Sequence, residues 1–462
     1  MCGVTGAVEA DAFDLERAVA SLRHRGPDGE GAWRGAAGAD AGVRLGHVRL
    51  AIQDLSNEAA QPMVSANGRH VITFNGEIYN FHELRRDLQA RGTRFRSRSD
   101  TEVLLEGWAR QGPEFLEACR GMFAFGLWDR HEQTLWLVRD RLGVKPLYYA
   151  ATGTGIAFAS EVRTLVASGA VPPDLDRVAL ESFLAHGAVY DPCTAIEGVR
   201  SLPPGHVLRW KRGHAELRQY WQLPMDADPG PLSRTEAVEE VHALLREAVG
   251  LRLVSDVPVA VLLSSGIDSS AVAALAAAAR TEPLDAFTVR LEAADRALDE
   301  SDQAGTFARS LGLRHRQVAL RANDMVRRID QAWNAMDQPT IDGVNTFFVT
   351  DAVRGAGTKV ALSGLGGDEV FLGYPSVHAL ARSLRFASLL RPLLSLAQPA
   401  AERWGPRLFG ATPLSAAKLW ELPYLAPDAR SVVQLRRALF PRVGRQALLP
   451  DTTRDDRTLP GP

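Results

Sequence analysis

The tightest constraint on this chain's fold is the apolar run at residues 259–263, VAVLL, which stops abruptly at Ser264-Ser265-Gly266-Ile267-Asp268-Ser269-Ser270. An alanine-rich stretch follows over residues 271–280. The pattern predicts a buried strand, a tight polar turn and a helix. Such a turn leaves backbone N–H groups and hydroxyls at a helix N-terminus, where unpaired donors and the helix dipole stabilise an anion. The G-x-x-x-x-G-K-[ST] spacing is missing, so this is not a Walker loop. Asp268 would repel a bare phosphate, and its presence makes sense if Mg2+ accompanies the phosphate. The same residues also fit an ordinary strand-to-helix turn with serine caps.

The surrounding rhythm is α/β. A helix is expected over 235–254, short strands over 257–263, 286–289, 316–320 and 359–362, and helices over 271–280, 302–311, 323–336 and 346–354. Alternation with short connections predicts an open, doubly wound parallel sheet, whose ligands bind at the carboxyl ends of strands. A second Gly-rich turn, Ser363-Gly364-Leu365-Gly366-Gly367-Asp368-Glu369, lies at such an end. Asp268 and Asp368 are candidate partners for a shared Mg2+. The plainer alternative for the second turn is a flexible glycine connection.

The N-terminal half reads differently. Cys2 follows Met1 directly. Removal of Met1 would give one residue both a thiol and a free α-amine, and an α-amine of pKa about 8 can take the thiol proton near neutral pH. Taken alone, a cysteine at position 2 is more often accidental. Beyond a helix over 13–22 and a Gly/Pro-rich loop over 23–31, strands are expected over 43–52, 70–74, 122–128, 134–139 and 147–150, with helices over 79–89, 100–110 and 176–186. Strands mixed with helices in this way indicate an α+β or layered domain. Asn75-Gly76 is a strong hairpin-turn signal. Its functional alternative is an oxyanion hole made by the Asn75 amide and the Gly76 N–H. Asp100 has the position of a helix N-cap. Residues 222–233, QLPMDADPGPLS, form the best linker candidate.

A formal net charge of −2 suggests neither nucleic acid nor an anionic membrane as a partner. No uncharged apolar run approaches a membrane span. No secretory pattern opens the chain, and three scattered cysteines make neither a disulfide framework nor a zinc site. A reducing cytosol is the expected setting.

The motifs, taken in order, resemble those of the glutamine-hydrolysing asparagine synthetases. These are Cys2, HRGPDGEG, Arg49-Leu50, NGEIYN, SDTEVL, GMFAFGLWD, RDRLGVKPLYY, LPPGH, LLSSGIDSS and DEVFLGY. The resemblance implies a four-layer αββα N-terminal-nucleophile glutaminase over 2–221, a linker over 222–234 and a doubly wound, adenylating α/β domain with a pyrophosphate loop over 235–450. Residues 451–462 are expected to be a disordered tail. It implies Cys2 as nucleophile, Asn75 and Gly76 at the oxyanion, and Arg49, Asn75, Glu77 and Asp100 around the glutamine. It implies ATP at Leu263, Ser264, Gly266, Asp268, Ser269, Val289, Ser363 and Gly364, with Mg2+ at Asp268 and Asp368. The implied substrates are glutamine and aspartate, or another carboxylate acceptor, in a cytoplasmic enzyme whose candidate assembly is a homodimer.

Three departures accompany the resemblance. Ser265 stands where the family's loop usually has a second glycine, and a positive φ there would be strained. Leu365 stands where many members have a glutamate implicated in forming the aspartyl adenylate. Members also continue past residue 462, so the second domain is expected to be incomplete at its C-terminus.

Overall fold

The structure is a computed structural model that describes residues 1–36, 38, 40–153, 155–224, 230, 232–291, 300–375 and 438–449, with residues 384, 385, 389, 396 and 418. By compactness the chain forms two units. One comprises Met1–Pro173, Gly198–Arg327 and Phe348–Gly364; the other comprises Asp174–Glu197, Arg328–Phe347 and Leu365–Pro462. The three sheets formed among the described residues lie in the first unit.

Twelve strands build two antiparallel sheets. They are β1 (Gly3–Val8), β2 (Gly29–Arg34), β3 (Val43–Arg49), β4 (Met63–Val64), β5 (His70–Ile78), β6 (Gly121–Asp129), β7 (Thr134–Arg139), β8 (Tyr148–Thr152), β9 (Gly155–Ala159), β10 (Val199–Ser201), β11 (His206–Lys211) and β12 (His214–Gln219). The sheet orders are β10-β8-β9-β1-β3-β2 and β12-β11-β7-β6-β5-β4.

Val4, Leu45 and Phe158 of the first sheet pack with Val71, Trp128 and Leu137 of the second, so the sheets meet face to face. Each large side chain buried here contributes roughly 1.5–3 kcal/mol. The other face of the second sheet carries Ile72, Phe74, Phe123 and Phe125. It packs on Leu84 and Leu88 of helix α2 (Phe81–Ala90) and on Leu104 and Trp108 of helix α3 (Asp100–Gln111). Helix α1 (Leu15–Ser21) crosses the outside of the first sheet, where a Cβ on Gly46 would run into Leu15 and Val19. Helix α4 (Val162–Ala167) contacts β9 on the same sheet. The layers are therefore α, β, β, α, as the resemblance implies.

Gly126 of β6 lies against the Phe158 ring between the sheets, with no room for a Cβ. Gly126→Ala is expected to cost about 1–3 kcal/mol by overpacking. A lowered midpoint of thermal unfolding measures it, and an unchanged midpoint would contradict the face-to-face packing.

The third sheet is parallel throughout, with order β15-β14-β13-β16. Its strands are β13 (Val259–Leu262), β14 (Asp285–Leu291), β15 (Arg314–Leu320) and β16 (Val360–Leu362). In the second unit, helix α5 is Arg177–His186, capped by the Asp176 carboxylate. In the first unit, helices α6 (Arg234–Arg252), α7 (Ile267–Ala278) and α8 (Ser301–Ser310) give Val249, Ala273, Ala276, Ala304 and Ala308 to one face of the parallel sheet. Val353, from the helix Gly343–Gly355, packs with Ala260 and Phe287 on the other. Helices on both faces make the sheet doubly wound. The chain runs outward from β13 to β15 and returns on the opposite side as β16. The strand order thus switches at β13, and ligand crevices form at such switch points.

Several local expectations are corrected. Asn75-Gly76 makes no turn, because β5 runs through it to Ile78 and pairs Asn75 with Ala124 and Gly76 with Phe123. A Cβ on Gly76 would lie 2.7 Å from the Phe123 Cα, so the glycine serves close strand approach. The N-cap of α3 is Ser99, whose hydroxyl accepts from Thr101 N–H at 3.1 Å, and Asp100 is the first helical residue. Helix α7 starts at Ile267, which puts Asp268 and Ser269 in its first turn. The segment read as one helix over 323–336 is two, Ala322–Arg327 and Ile329–Ala335. The glycine loop over 23–31 ends in β2. The tail over 451–462 lies outside the described residues. Among the described residues no helix is long and apolar enough to cross a membrane.

Candidate active site

Cys2 immediately precedes β1 and is half-buried. Its Sγ accepts from Leu50 N–H at 3.4 Å. Arg25 fixes the backbone there, donating from Nε to Cys2 O at 3.0 Å and from Nη1 to Glu161 Oε1 at 2.9 Å. Gly26 allows this loop to lie on β3, since a Cβ would sit 2.6 Å from Val48 O. Asp28 of the same loop accepts from Ala51 N–H at 2.9 Å and from Lys359 Nζ at 2.9 Å.

A cavity of about 210 Å³ opens beside Cys2. It is bounded by Arg49 at the end of β3, by Asn75, Gly76 and Glu77 of β5, by Asp100 of α3, and by Lys145. All six residues assigned to the glutaminase chemistry from the sequence therefore meet at one place. Asn75 is 1% exposed, yet its Nδ2 has no hydrogen-bond partner among the described residues. A buried amide donor without an acceptor is costly, and an oxygen brought by a ligand would satisfy it.

The Arg49 guanidinium donates to Ser56 O at 2.8 Å and to Asp54 O. Asp54 holds this geometry in the left-handed region at φ 48°, which aspartate tolerates better than most residues. Its carboxylate accepts from Ser56 Oγ at 2.6 Å and Arg98 N–H at 2.7 Å, and its own N–H donates to Asp256 Oδ2 at 2.7 Å.

Burial sets the electrostatics of the cavity. Burial, with the Asp100 charge adding to it, pushes Glu77 up to about 7. Burial pushes Asp100 up to about 6, against the N–H groups of Ile78 and Thr101 that favour its ionised form. Burial also pushes the Cys2 thiol up, the Lys145 ammonium down, and the Met1 α-amine down to about 5. His47 of β3 does not line the cavity. It is a buried imidazole 3.1 Å from Phe74 O, lowered to about 4 by burial.

The sequence reading missed part of the cavity wall. Gln53, whose amide atoms have no partner among the described residues, lines it together with Lys359, Val360 and Ala361. Lys145 lies in a quoted motif, but nothing in its spacing marks it as a cavity residue.

The turn after β13 is wound around one hydroxyl. Ser269 Oγ accepts from Ser264 N–H at 3.1 Å, lies 2.8 Å from Ser264 Oγ and donates to Gly266 O at 3.1 Å. Ser265 N–H donates to Glu300 Oε2 at 2.9 Å. Gly266 caps α7 without a side-chain hydrogen bond, which leaves the helix N-terminus open. The non-glycine residues with positive φ are Glu9, Asp54, Gln133, Arg212 and Leu372 among the described residues, so Ser265 escapes the strain its position suggested.

Leu263 is tied to β14 by its N–H to Phe287 O and by Thr288 Oγ1 to its carbonyl, both at 2.8 Å. Val289 follows on the same strand. Ser363 and Gly364 follow β16, and a Cβ on Gly364 would lie 2.6 Å from Ser269 N, so the two turns touch backbone to backbone. Asp268 is half-buried in the first turn of α7. Asp368 is exposed in the short helix Gly367–Phe371, and Leu365 is 91% exposed. No group of three or more His, Cys, Asp or Glu is placed to hold a metal ion among the described residues.

The Glutamine amidotransferase domain family model matches residues 1–221, and the Asparagine synthase model matches residues 240–454. The chain is 31% identical over 402 residues to asparagine synthetase (glutamine-hydrolyzing) 3 of Bacillus subtilis (strain 168), covering 82% of this chain and 64% of that protein. It is 31% identical over 400 residues to a Methanocaldococcus jannaschii protein provisionally named asparagine synthetase (glutamine-hydrolyzing) 2, covering 81% and 76%. Amidase chry2 of Gibberella zeae is 33% identical over 384 residues, covering 79% and 56%. The chain thus spans less than two thirds of the length of the first and third of these relatives. Both family matches, and identity sustained across three quarters of the archaeal protein, lead to one conclusion: the chain belongs to the glutamine-hydrolysing asparagine synthetase family.

Proposed function

We propose that the chain catalyses glutamine-dependent amide synthesis, most simply asparagine from aspartate. A glutaminase domain over 2–221 would release ammonia, and an ATP-using domain over 235–450 would consume it. The observation that carries the reading is the unsatisfied Asn75 Nδ2, buried in the cavity that holds Cys2.

In this reading Met1 is removed and the Cys2 α-amine takes the thiol proton. The sulfur attacks the glutamine carboxamide carbon, and Asn75 Nδ2 and Gly76 N–H receive the oxyanion. The α-ammonium of Cys2 returns its proton to the leaving nitrogen, and ammonia departs. Water then cleaves the thioester to glutamate. Arg49 holds the glutamine α-carboxylate with its planar fork, and Glu77 and Asp100 hold the α-ammonium.

At the second site the open α7 N-terminus and the Ser264, Gly266 and Ser269 turn fit a pyrophosphate group. Asp268 would hold the Mg2+ that accompanies the phosphates. Bound ATP supplies the activation that makes a carboxylate reactive toward ammonia. Leu263, Val289, Ser363 and Gly364 would line the nucleotide. Enclosure protects both partners, since free ammonia is mostly ammonium at neutral pH.

A second reading keeps this chemistry and changes the acceptor carboxylate. Leu365, in a position where many members have glutamate, and the amidase-named relative support it. Product analysis with Mg-ATP, aspartate and either glutamine or ammonium separates the readings. Asparagine and AMP from both nitrogen sources are expected. AMP only with another acid favours the second reading, and glutamate without AMP leaves a glutaminase alone.

The cavity carboxylates give a pH prediction. Glu77 at about 7 and Asp100 at about 6 are protonated at lower pH and attract an α-ammonium only when ionised. The kcat/KM for glutamine is expected to rise with pH across this window. Glu77→Gln should remove the upper part of the rise. A wild-type profile flat between pH 6 and 7 would contradict the assignment.

A further inference from the structure

Lys145 enters the glutaminase cavity from the turn that joins β7 to β8. The turn is pinned on both sides. Lys145 N–H donates to Asp140 Oδ2 at 2.9 Å, and Lys145 O accepts from Arg139 Nε at 3.0 Å. The residue is 5% exposed and lines the same cavity as Cys2 and Asn75.

Lysine is rarely buried this deeply without a paired carboxylate. Among the described residues the ammonium forms no ion pair, and its polar contact is the Met1 sulfur at 3.1 Å. A thioether is a weak acceptor for a cation. Met1 is also the residue whose removal would free the Cys2 α-amine. Once it is gone, the ammonium faces a cavity that holds Cys2 together with the Glu77 and Asp100 carboxylates.

We propose that Lys145 is a positioning residue of this site, its buried ammonium favouring the thiolate form of Cys2 across the cavity they share. The inference rests on Cys2 being the nucleophile. The thiol proton passes to the α-amine, the S–C bond forms, the C–N bond breaks, and the α-ammonium protonates the departing nitrogen. Lys145 keeps its three protons throughout. The other charged groups around it are Glu77 from β5, Asp100 from α3, Arg25 from the loop after α1, Asp140 from its own turn, Arg49 from β3 and Lys359 just before β16. The two cavity carboxylates disfavour a thiolate, and Lys145 opposes them.

The test follows the alkylation of Cys2 by iodoacetamide against pH, read on the N-terminal peptide of the mature full-length protein. Lys145→Met is expected to raise the midpoint by about one unit, the size of effect that removing a neighbouring opposite charge has. The kcat/KM for glutamine should fall about tenfold or more. Lys145→Arg, which retains the charge, should restore most of the midpoint. If Lys145→Met does not fold, Lys145→Gln takes its place. An unmoved midpoint in whichever folded neutral variant is obtained overturns the inference. Glutaminase activity surviving in Cys2→Ala would instead remove the nucleophile reading on which it rests.

Discussion

Cys2→Ala is expected to lower glutamine-dependent product formation by about 10³-fold or more while ammonium-dependent formation stays at the wild-type rate. Loss of a covalent nucleophile removes the step itself and leaves only binding and the oxyanion donors, so the residual rate is small. The spared activity follows from the separation of roles. Cys2 lines the cavity framed by β3, β5 and α3, whereas the turn proposed to hold pyrophosphate is built around Ser269 at the end of β13. Parallel assays with glutamine and with ammonium measure both numbers. Equal loss of the two activities would sink the two-site scheme.

Asn75→Ala is expected to reduce kcat for glutamine by about 10²–10³-fold with little change in KM. The donor is aimed where charge appears only as the carbonyl becomes tetrahedral, so its removal raises the barrier more than it weakens substrate binding. The fold should tolerate the change, because Nδ2 makes no hydrogen bond to the described protein. Asn75→Asp, which keeps the shape and replaces the donor by an acceptor, should lose at least as much. Steady-state kinetics on variants with wild-type melting temperatures decide it. A rise in KM with unchanged kcat would make Asn75 a substrate-binding group only.

Much of this was legible in the sequence because short motifs tie residue type to backbone demand. The abrupt change from apolar run to serine-rich turn at Ser264 marked the end of β13, and the alternation after it gave the parallel sheet. Cys2 carried meaning only through the ordered company of Arg49, Glu77 and Asp100, which fold to one cavity. Asn75-Gly76 misled as a turn signal because local preference favours a hairpin there. Nine residues of pairing with β6 override it, and the glycine is needed for its lack of a Cβ. Ser99 and Asp100 compete for one cap by the same chemistry, and only the packing of Asp100 on Ile78 N–H decides between them. Lys145, Gln53 and Asp256 were invisible because their roles arise from distant segments meeting, for which one chain offers no pattern.

The wall made by Lys359, Val360 and Ala361 limits how this protein can be taken apart. These residues lead into and begin β16, at one edge of the parallel sheet, yet they close the cavity beside Cys2, and Asp256 from the loop before β13 fastens the Asp54 turn that carries Arg49. The N-terminal half, residues 1–221, is therefore not a free-standing cassette. Recombination that grafted residues 1–221 onto another synthetase would have to bring a matching edge, or inherit a chamber with one side open to water.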